Sequence, residues 1–399
     1  MNRPARSASF EKIVIPAPGS KDQGGAGQRA PLEVDWRALR SLVDDIDAWR
    51  ELAERALEPN VFLEPAFACA AASHLADAQV GALVVREGDR LVGLMPGRVE
   101  GLGQGRPVST FVAWSHSFAP LSTPLVDRDA AQGVVAALVD SLPELPGAPR
   151  VALFPLIPEE GPVARLIAAH LGEKKRAPYR LDPHRRASLV PGQPDADEEV
   201  SSKRLKELRR LRRRLAQEGA LTHETATDAN AVDTALAGYL AVEASGWKGR
   251  SGTAATQNSA TARFFASAVT ALASEGKARV DRLKLNGRTI AATITLFSGN
   301  RGWFWKTTYD EAYARFSPGV QLALDLTGSL QVEGRLALVD SCAVADHPMI
   351  DHLWSGRLAI ADWLVPLGGR PAMAATIAVE HARRAVMAPL RALRSAARR

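Results

Sequence analysis

Residues 313–326 read YARFSPGVQLALDL and follow the aromatic stretch WFWKTTYD at 303–310. Ser317-Pro318-Gly319 stands where a strand pattern gives way to a helical one. Two readings fit: ordinary helix-start punctuation, or a cradle for phosphate. The first turn of a helix has amide N–H groups without intrahelical partners, and the macrodipole adds partial positive charge there. Ser317 can be the N-cap and Pro318 the first helical residue, where its missing N–H costs nothing. Gly319 removes a Cβ where an anion would approach, and Val320, Gln321 and Leu322 then present donors. Arg315 is near enough in sequence to add charge. Four further polar residues are candidates for chemistry: Glu243 at a helix end, Lys306 and Tyr309 on the aromatic strand, and Asp340 ending the next strand. No Ser-His-Asp or Cys-His constellation accompanies them, which argues against a nucleophilic triad.

The elements that must position these residues form an order that occurs twice. In the first half, 44–57 and 65–76 have helical spacing, 79–100 reads as a hairpin around Glu-Gly-Asp, and 108–114 as a third strand. A helix (129–142), a buried-type strand (150–156), a helix (160–171) and extended residues to about 190 follow. In the second half, 220–227 is a strand, and 229–246 and 258–275 are helices. Residues 278–310 are three strands with turns at Asn286-Gly287 and Gly299-Asn300, Asn-Gly being a strong hairpin signal. A helix at about 318–333 and a strand at 335–342 complete the copy. The junction in the first half, FAPLSTPLVDRDAAQG (118–133), starts its helix near Asp127 and Asp129. Carboxylates there would occupy the positive helix end and repel phosphate. Phosphate binding is therefore expected in the second half, with a structural or acceptor-shaping role for the first.

Two helices, a three-strand meander, a helix and a further strand resemble the GNAT superfamily of N-acyltransferases, and two such units in tandem occur in Fem-type transferases. The second half adds Glu243-x-x-x-Trp247-Lys248, the Asn-Gly hairpin, Lys306-x-x-Tyr309-Asp310, Ser317-Pro318-Gly319 and Asp340. Over roughly 200–365 these resemble the bacterial CelD-like acetyltransferase domain, named for an association with cellulose biosynthesis. The superfamily's Gln or Arg followed by Gly-x-Gly/Ala is not intact here. The resemblance implies an α/β fold of two tandem GNAT-like domains, each a mixed sheet flanked by helices. It implies acetyl-CoA or another acyl-CoA as co-substrate, with its pyrophosphate at 317–322. The acceptor would be an amine, on a small molecule or an envelope sugar or polysaccharide precursor, attacking directly in a ternary complex. Glu243 or Asp340 would accept the amine proton, Lys306 stabilise developing negative charge, and Tyr309 donate to sulfur. Trp247 and Lys248, before the glycine loop GRSGTA, would contact acceptor. The alternatives are Fem-like transfer from aminoacyl-tRNA, and a degenerate GNAT scaffold acting as a binding protein in exopolysaccharide biosynthesis.

The 399 residues are 46% hydrophobic and 24% charged, with net charge +6. That balance suits a globular chain with affinity for anionic partners. Residues 1–30 read as a disordered leader without a secretory pattern. Domains are expected at 31–190 and 201–369, with a linker at 191–200 and a basic helical tail at 370–399. Two distant cysteines and the lack of an apolar span point to a cytoplasmic protein. Residues 203–214 hold eight Lys or Arg, among them Arg209 and Arg210, around a stripe of Leu205, Leu208, Leu211 and Leu215. This reads as a docked amphipathic helix, or as an anion site for a phosphorylated acceptor or tRNA. The stripe does not continue as heptads, so DNA binding through a zipper is not expected. The tail has seven Arg and one Glu; a loosely ordered basic end is preferred to peripheral contact with an anionic membrane. His347, Asp351 and His352 superficially offer metal ligands, but without supporting Cys or HExxH spacing no metal is expected. The glycines of EGLGQGRP (100–107) open no helix and make no dinucleotide fingerprint.

Overall fold

The computed structural model describes residues 13–15, 30–75, 80–192 and 202–396. Most of the expected leader and linker, and the last three residues of the tail, lie outside the described residues. From the N-terminus come strands and helices β1 (Ile13–Ile15), β2 (Leu32–Ala38), α1 (Ile46–Glu54) and α2 (Pro65–His74). Then follow β3 (Gly81–Glu87), β4 (Arg90–Glu100), β5 (Thr110–Ala113), β6 (Leu125–Val126), α3 (Ala131–Ser141), β7 (Val151–Pro158), α4 (Pro162–Glu173) and β8 (Tyr179–Leu189). The chain continues through α5 (Ser202–Gln217), β9 (Leu221–Ala226), α6 (Ala229–Ser245), the single turn α7 (Trp247–Arg250) and α8 (Ser259–Ser274). Last come β10 (Ala278–Leu285), β11 (Arg288–Ser298), β12 (Arg301–Tyr309), α9 (Pro318–Gln331), β13 (Leu338–Asp340), β14 (Gly356–Pro366) and α10 (Arg370–Ala396).

These elements form two compact units, one from Met1–Asn60, Ala78–Pro183 and Ile360–Arg399, the other from Val61–Asp77 and His184–Ala359. In the first, β1 to β5 lie side by side and β7 adds beyond β5, with Ile360–Pro366 of β14 alongside β7. All neighbours are antiparallel except β5 and β7. In the second, β9 to β12 are antiparallel neighbours and β13 lies parallel to β12. Parallel neighbours need a crossover; α3 supplies it in the first unit and α9 in the second. The order read twice in the sequence is a repeated topology, and the fold is α/β, each unit's mixed strands being flanked by helices and belonging to one large mixed sheet rather than to two separate ones.

Local chemistry explains why the second unit forms where it does. Asp228 caps α6 by accepting from Ala231 N at 3.0 Å, and Asn258 caps α8 by accepting from Ala260 N and Thr261 N. α8 buries Phe264, Phe265, Ala268, Val269 and Leu272, one helical face. Asn286 and Gly287 have φ of +48° and +79°, the paired positive values that a two-residue hairpin turn between β10 and β11 needs.

Four features depart from the sequence reading. β2 and β14 were not expected, and Ile13–Ile15, within the expected leader, pairs with Leu32–Val34. Sequence order would give α2 to the first half, yet it belongs to the second unit, where Phe67 meets Phe264 and Trp305 edge-on at 5.2 and 5.7 Å. The tail is docked over its described side chains rather than loosely ordered. Ala372, Met373 and Ile377 pack on Val151, Leu153 and Leu364. Buried Glu380 pairs with buried Arg106, and Arg384 reaches Asp182 and, at 2.8 Å, Asp362. Removing one member of a buried ion pair leaves the other charge poorly compensated. Arg106 keeps Glu100 at 2.7 Å, so Glu380→Ala should destabilise the protein by less than the ~3 kcal/mol of a fully unpaired buried charge, read as a lower urea midpoint; an unchanged midpoint would show that α10 is not anchored this way.

Candidate active site

The second unit contains a cavity of about 440 Å³. Its walls are the end of β12 (Thr307, Thr308, Tyr309), the start of α9 (Ser317–Val320), Glu243 to Lys248, Arg204 of α5, and the turn His347–Met349. Each wall has a local cause. Ile294 pairs with Lys306 but Thr295 pairs with Phe304, so β12 bulges at Trp305. Beyond the bulge the strand emerges with Tyr309 43% exposed. Asp310 then turns the chain, accepting from Ala312 N at 3.0 Å and pairing with Arg288 at 2.7 Å.

Ser317 follows with φ +52° and ψ +50°, a left-handed conformation uncommon for a residue with a Cβ. This overturns the expected side-chain cap, since the Ser317 hydroxyl makes no capping bond. Its carbonyl instead accepts from both Val320 N and Gln321 N at 3.1 Å. Among the described residues, Gly319 N–H is therefore the unpaired amide of this first turn. Ser317, Pro318, Gly319 and Val320 do line the cavity, whereas Gln321 and Leu322 do not. Gln321 is buried and donates through Nε2 to Phe316 O at 2.7 Å, while Leu322 sits in the core with Leu283 and Phe316. Arg315 lies over the Phe316 ring and pairs with Glu218 at 3.0 Å, so its charge is directed elsewhere.

Glu243 is buried at the end of α6. It accepts from Tyr239 Oη at 3.1 Å, Lys248 Nζ at 2.6 Å and Ala255 N at 2.9 Å. Burial alone would raise its pKa, but the Lys248 charge and these three donors together hold it below the usual value. Trp247 N donates to Glu311 Oε1 at 2.7 Å, and Arg250 pairs with Glu311 Oε2 at 2.5 Å. Lys306 is adjacent in sequence to the wall without lining it. Burial, with Lys248 nearby, lowers its pKa from 10.5 to about 8.

Asp340 is not brought to the cavity. It is 2% exposed, pairs with the buried Arg186, and accepts from Cys342 N at 2.9 Å. Arg209 and Arg210 also lie away, Arg210 pairing with Glu207 at 2.6 Å on the outer face of α5. The residue of that helix that lines the cavity is Arg204, which no sequence signal separated from the cations around it. His347 was raised only as a weak metal ligand, yet it lines the cavity. Its Nδ1 accepts from Met349 N at 3.3 Å, and burial lowers its pKa.

The first unit fills the corresponding junction differently. Asp127, buried ahead of α3, pairs with Arg55 and Arg90, each at 2.7 Å, and accepts from Asp129 N at 3.0 Å. This carboxylate, neutralised by two guanidinium groups, is buried just ahead of α3 but makes no capping bond to that helix.

Comparison with known proteins agrees with this architecture. Residues 202–347 match the family described as Acetyltransferase (GNAT) domain. No curated protein matches the chain. Among solved structures, the C-terminal domain (DUF2156) of a putative lysylphosphatidylglycerol synthetase from Agrobacterium fabrum is similar, with TM-score 0.54 and 13% identity over 86% of this chain and 96% of that one. A conserved protein of unknown function from Bacteroides thetaiotaomicron VPI-5482 gives TM-score 0.53 and 10% identity, covering 81% of this chain and 97% of that one. FemX is more distant, at TM-score 0.47 and 10% identity over 81% of this chain and 94% of that one. Among the described residues no helix is long and apolar enough to cross a membrane. By the match over 202–347, those residues form a GNAT acetyltransferase domain.

Proposed function

We propose that this GNAT protein is an N-acyltransferase that moves an acetyl or other acyl group from acyl-CoA to an amine acceptor by direct attack. The observation that carries this reading is the convergence of the α9 start, the β12 end and the Glu243–Lys248 pair on one cavity. The acyl carrier lies against Ser317 to Val320, with Gly319 N–H as donor. The amine nitrogen attacks the thioester carbonyl, an N–C bond forms and the C–S bond breaks. Lys248, held in place by Glu243, stabilises the oxyanion, the role first expected of Lys306. Glu243 receives the amine proton, and Tyr309 at the cavity mouth protonates the leaving sulfur. Because Glu243 is held below its usual pKa it is a weak base, so the acceptor must reach the site largely as free amine. The acceptor is a small amine or a sugar-linked amine, such as a cellulose or exopolysaccharide precursor of the envelope, and the reaction is cytoplasmic.

A second reading, transfer from aminoacyl-tRNA, is favoured by one observation. α5 presents exposed Lys206, Arg209, Arg213 and Arg214, and its first turn reaches the cavity through Arg204. The similar Agrobacterium domain comes from a protein described as a putative lysylphosphatidylglycerol synthetase. Acyl transfer from charged tRNA without coenzyme A binding would select this reading.

A Cβ at Gly319 would lie 3.4 Å from Tyr309 Cδ1, so a side chain fits there and would project beside the proposed carrier. Calorimetry with acetyl-CoA should show Gly319→Glu binding at least about tenfold more weakly than wild type, through like-charge repulsion. Equal binding would remove the loop assignment. Lys306 provides a test of the buried electrostatics. Its folded pKa, about 8, lies below the ordinary 10.5. Below about pH 8 both states are protonated and the full cost of burying the charge is felt. Between about 8 and 10.5 the unfolded state binds more protons, so wild-type stability should rise. Lys306→Met should be more stable than wild type at pH 7 and lose that rise, as followed by denaturant midpoints across pH.

A further inference from the structure

Positive charge is concentrated on α5, and much of it is left uncompensated. Arg210 pairs with Glu207 at 2.6 Å and Arg212 with Asp325 of α9 at 2.9 Å. Lys206, Arg209, Arg213 and Arg214 are exposed and make no ion pair among the described residues. These four fall on one side of the helix, and the buried Leu208 and Leu215 fall on the other. The leucines and the Arg212–Asp325 pair hold the helix to its unit, so the cationic face is fixed outwards. Glu218, just past the end of α5, is taken up by Arg315 at 3.0 Å. In the tail, by contrast, Arg384 is held by Asp182 and Asp362, and Arg383 lies 3.9 Å from Glu380.

We propose that the outer face of α5 docks the protein on an anionic bilayer surface, its cations meeting phosphate headgroups while its leucines stay inside the protein. The inference goes beyond the acyl-transfer reading and does not depend on it. Attraction to an anionic leaflet needs only exposed cations, and it falls off within a Debye length. The buried leucines are not available to insert, so the contact is electrostatic and reversible. A bilayer is favoured over a nucleic acid by composition and shape. α5 contains no aromatic residue on which a base could stack. Its convex face also finds the major groove of an A-form duplex too deep and narrow to enter. Arg204, which lines the cavity, belongs to the leucine side, so docking leaves the cavity on the opposite side of the helix.

The test is co-sedimentation of the full chain with vesicles of phosphatidylglycerol and phosphatidylcholine in equal parts, with phosphatidylcholine vesicles as the blank. Wild type should sediment with the anionic vesicles alone and be released at about 1 M salt, where the Debye length is about 3 Å. Each cation at such a surface is worth about fivefold, so Arg209→Gln with Arg213→Gln should weaken binding about twentyfold. Arg209→Glu with Arg213→Glu should weaken it further. Arg40→Glu with Arg263→Glu makes the same change of net charge at exposed positions off α5 and should bind as wild type. Equal urea midpoints would show that the variants remain folded. Vesicle binding unchanged by the α5 substitutions, or lost equally in the off-helix variant, overturns the assignment. Binding of bulk tRNA through the same arginines, with anionic vesicles ignored, overturns it in favour of RNA. Coenzyme A titration is read separately: its failure removes the acyl-CoA reading and leaves this surface standing.

Discussion

A buried carboxylate is the constraint from which the candidate site follows. Taking Glu243 out of water costs several kcal/mol unless donors surround it, and here they come from three places. Tyr239 lies one turn earlier on α6, Lys248 follows on α7, and Ala255 N–H comes from beyond the glycine loop. Satisfying one side chain therefore fixes the path of the chain from 239 to 255. Gly249 shows how tight that path is, because a Cβ there would lie 1.7 Å from Ala244 O. Trp247 and Lys248 face the cavity because the turn that carries them has been closed in this way. Glu311 repeats the device from the opposite wall, accepting from Trp247 N and pairing with Arg250.

Much of this was legible in the sequence, and the failures have physical reasons. Helices with strong periodicity and capping residues, such as α6 and α8, and the hairpin at Asn286-Gly287 could be read directly. β2 and β14 could not, because LEVDWRA and GRLAIADWLVP mix charged residues into their apolar pattern and gain their pairing from distant strands. Ser317 was readable as a helix start but not as a left-handed residue, since Ser-Pro-Gly is equally good punctuation in either conformation. The partner of Asp340, Arg186, lies in a strand far away in sequence, so their pairing could not be read there. Arg204 was hidden among chemically identical neighbours; only the docking of α5 distinguishes it.

The two units show how one topology can support different local chemistry. In both, four antiparallel strands pass through a helix to a fifth strand parallel to the fourth. The positive end of that helix must be answered in each case. In the first unit a buried carboxylate, Asp127, stands just ahead of that helix and is held between Arg55 and Arg90. In the second, a serine carbonyl takes two amides, and Gly319 lines a cavity. Backbone order alone would not separate these outcomes. The separation lies in a few side chains at the junction.

The cavity's ionic groups are balanced, and that limits the chemistry it suits. Glu243 and Lys248 neutralise each other, Glu311 is held by Arg250, and His347 is shifted towards its neutral form. Such a site has little capacity to strip a proton from an unreactive acid or to generate a strong nucleophile. It can hold a polar pair in place while a reaction proceeds, because the dipoles are already oriented and partly shielded from water. An acyl group that arrives already activated, with a good leaving group, needs little more than this. Attack by a free amine on such a group is compatible with the weak base and fixed ammonium found here, whereas hydrolysis of an unactivated amide would require stronger acid–base partners than these side chains provide.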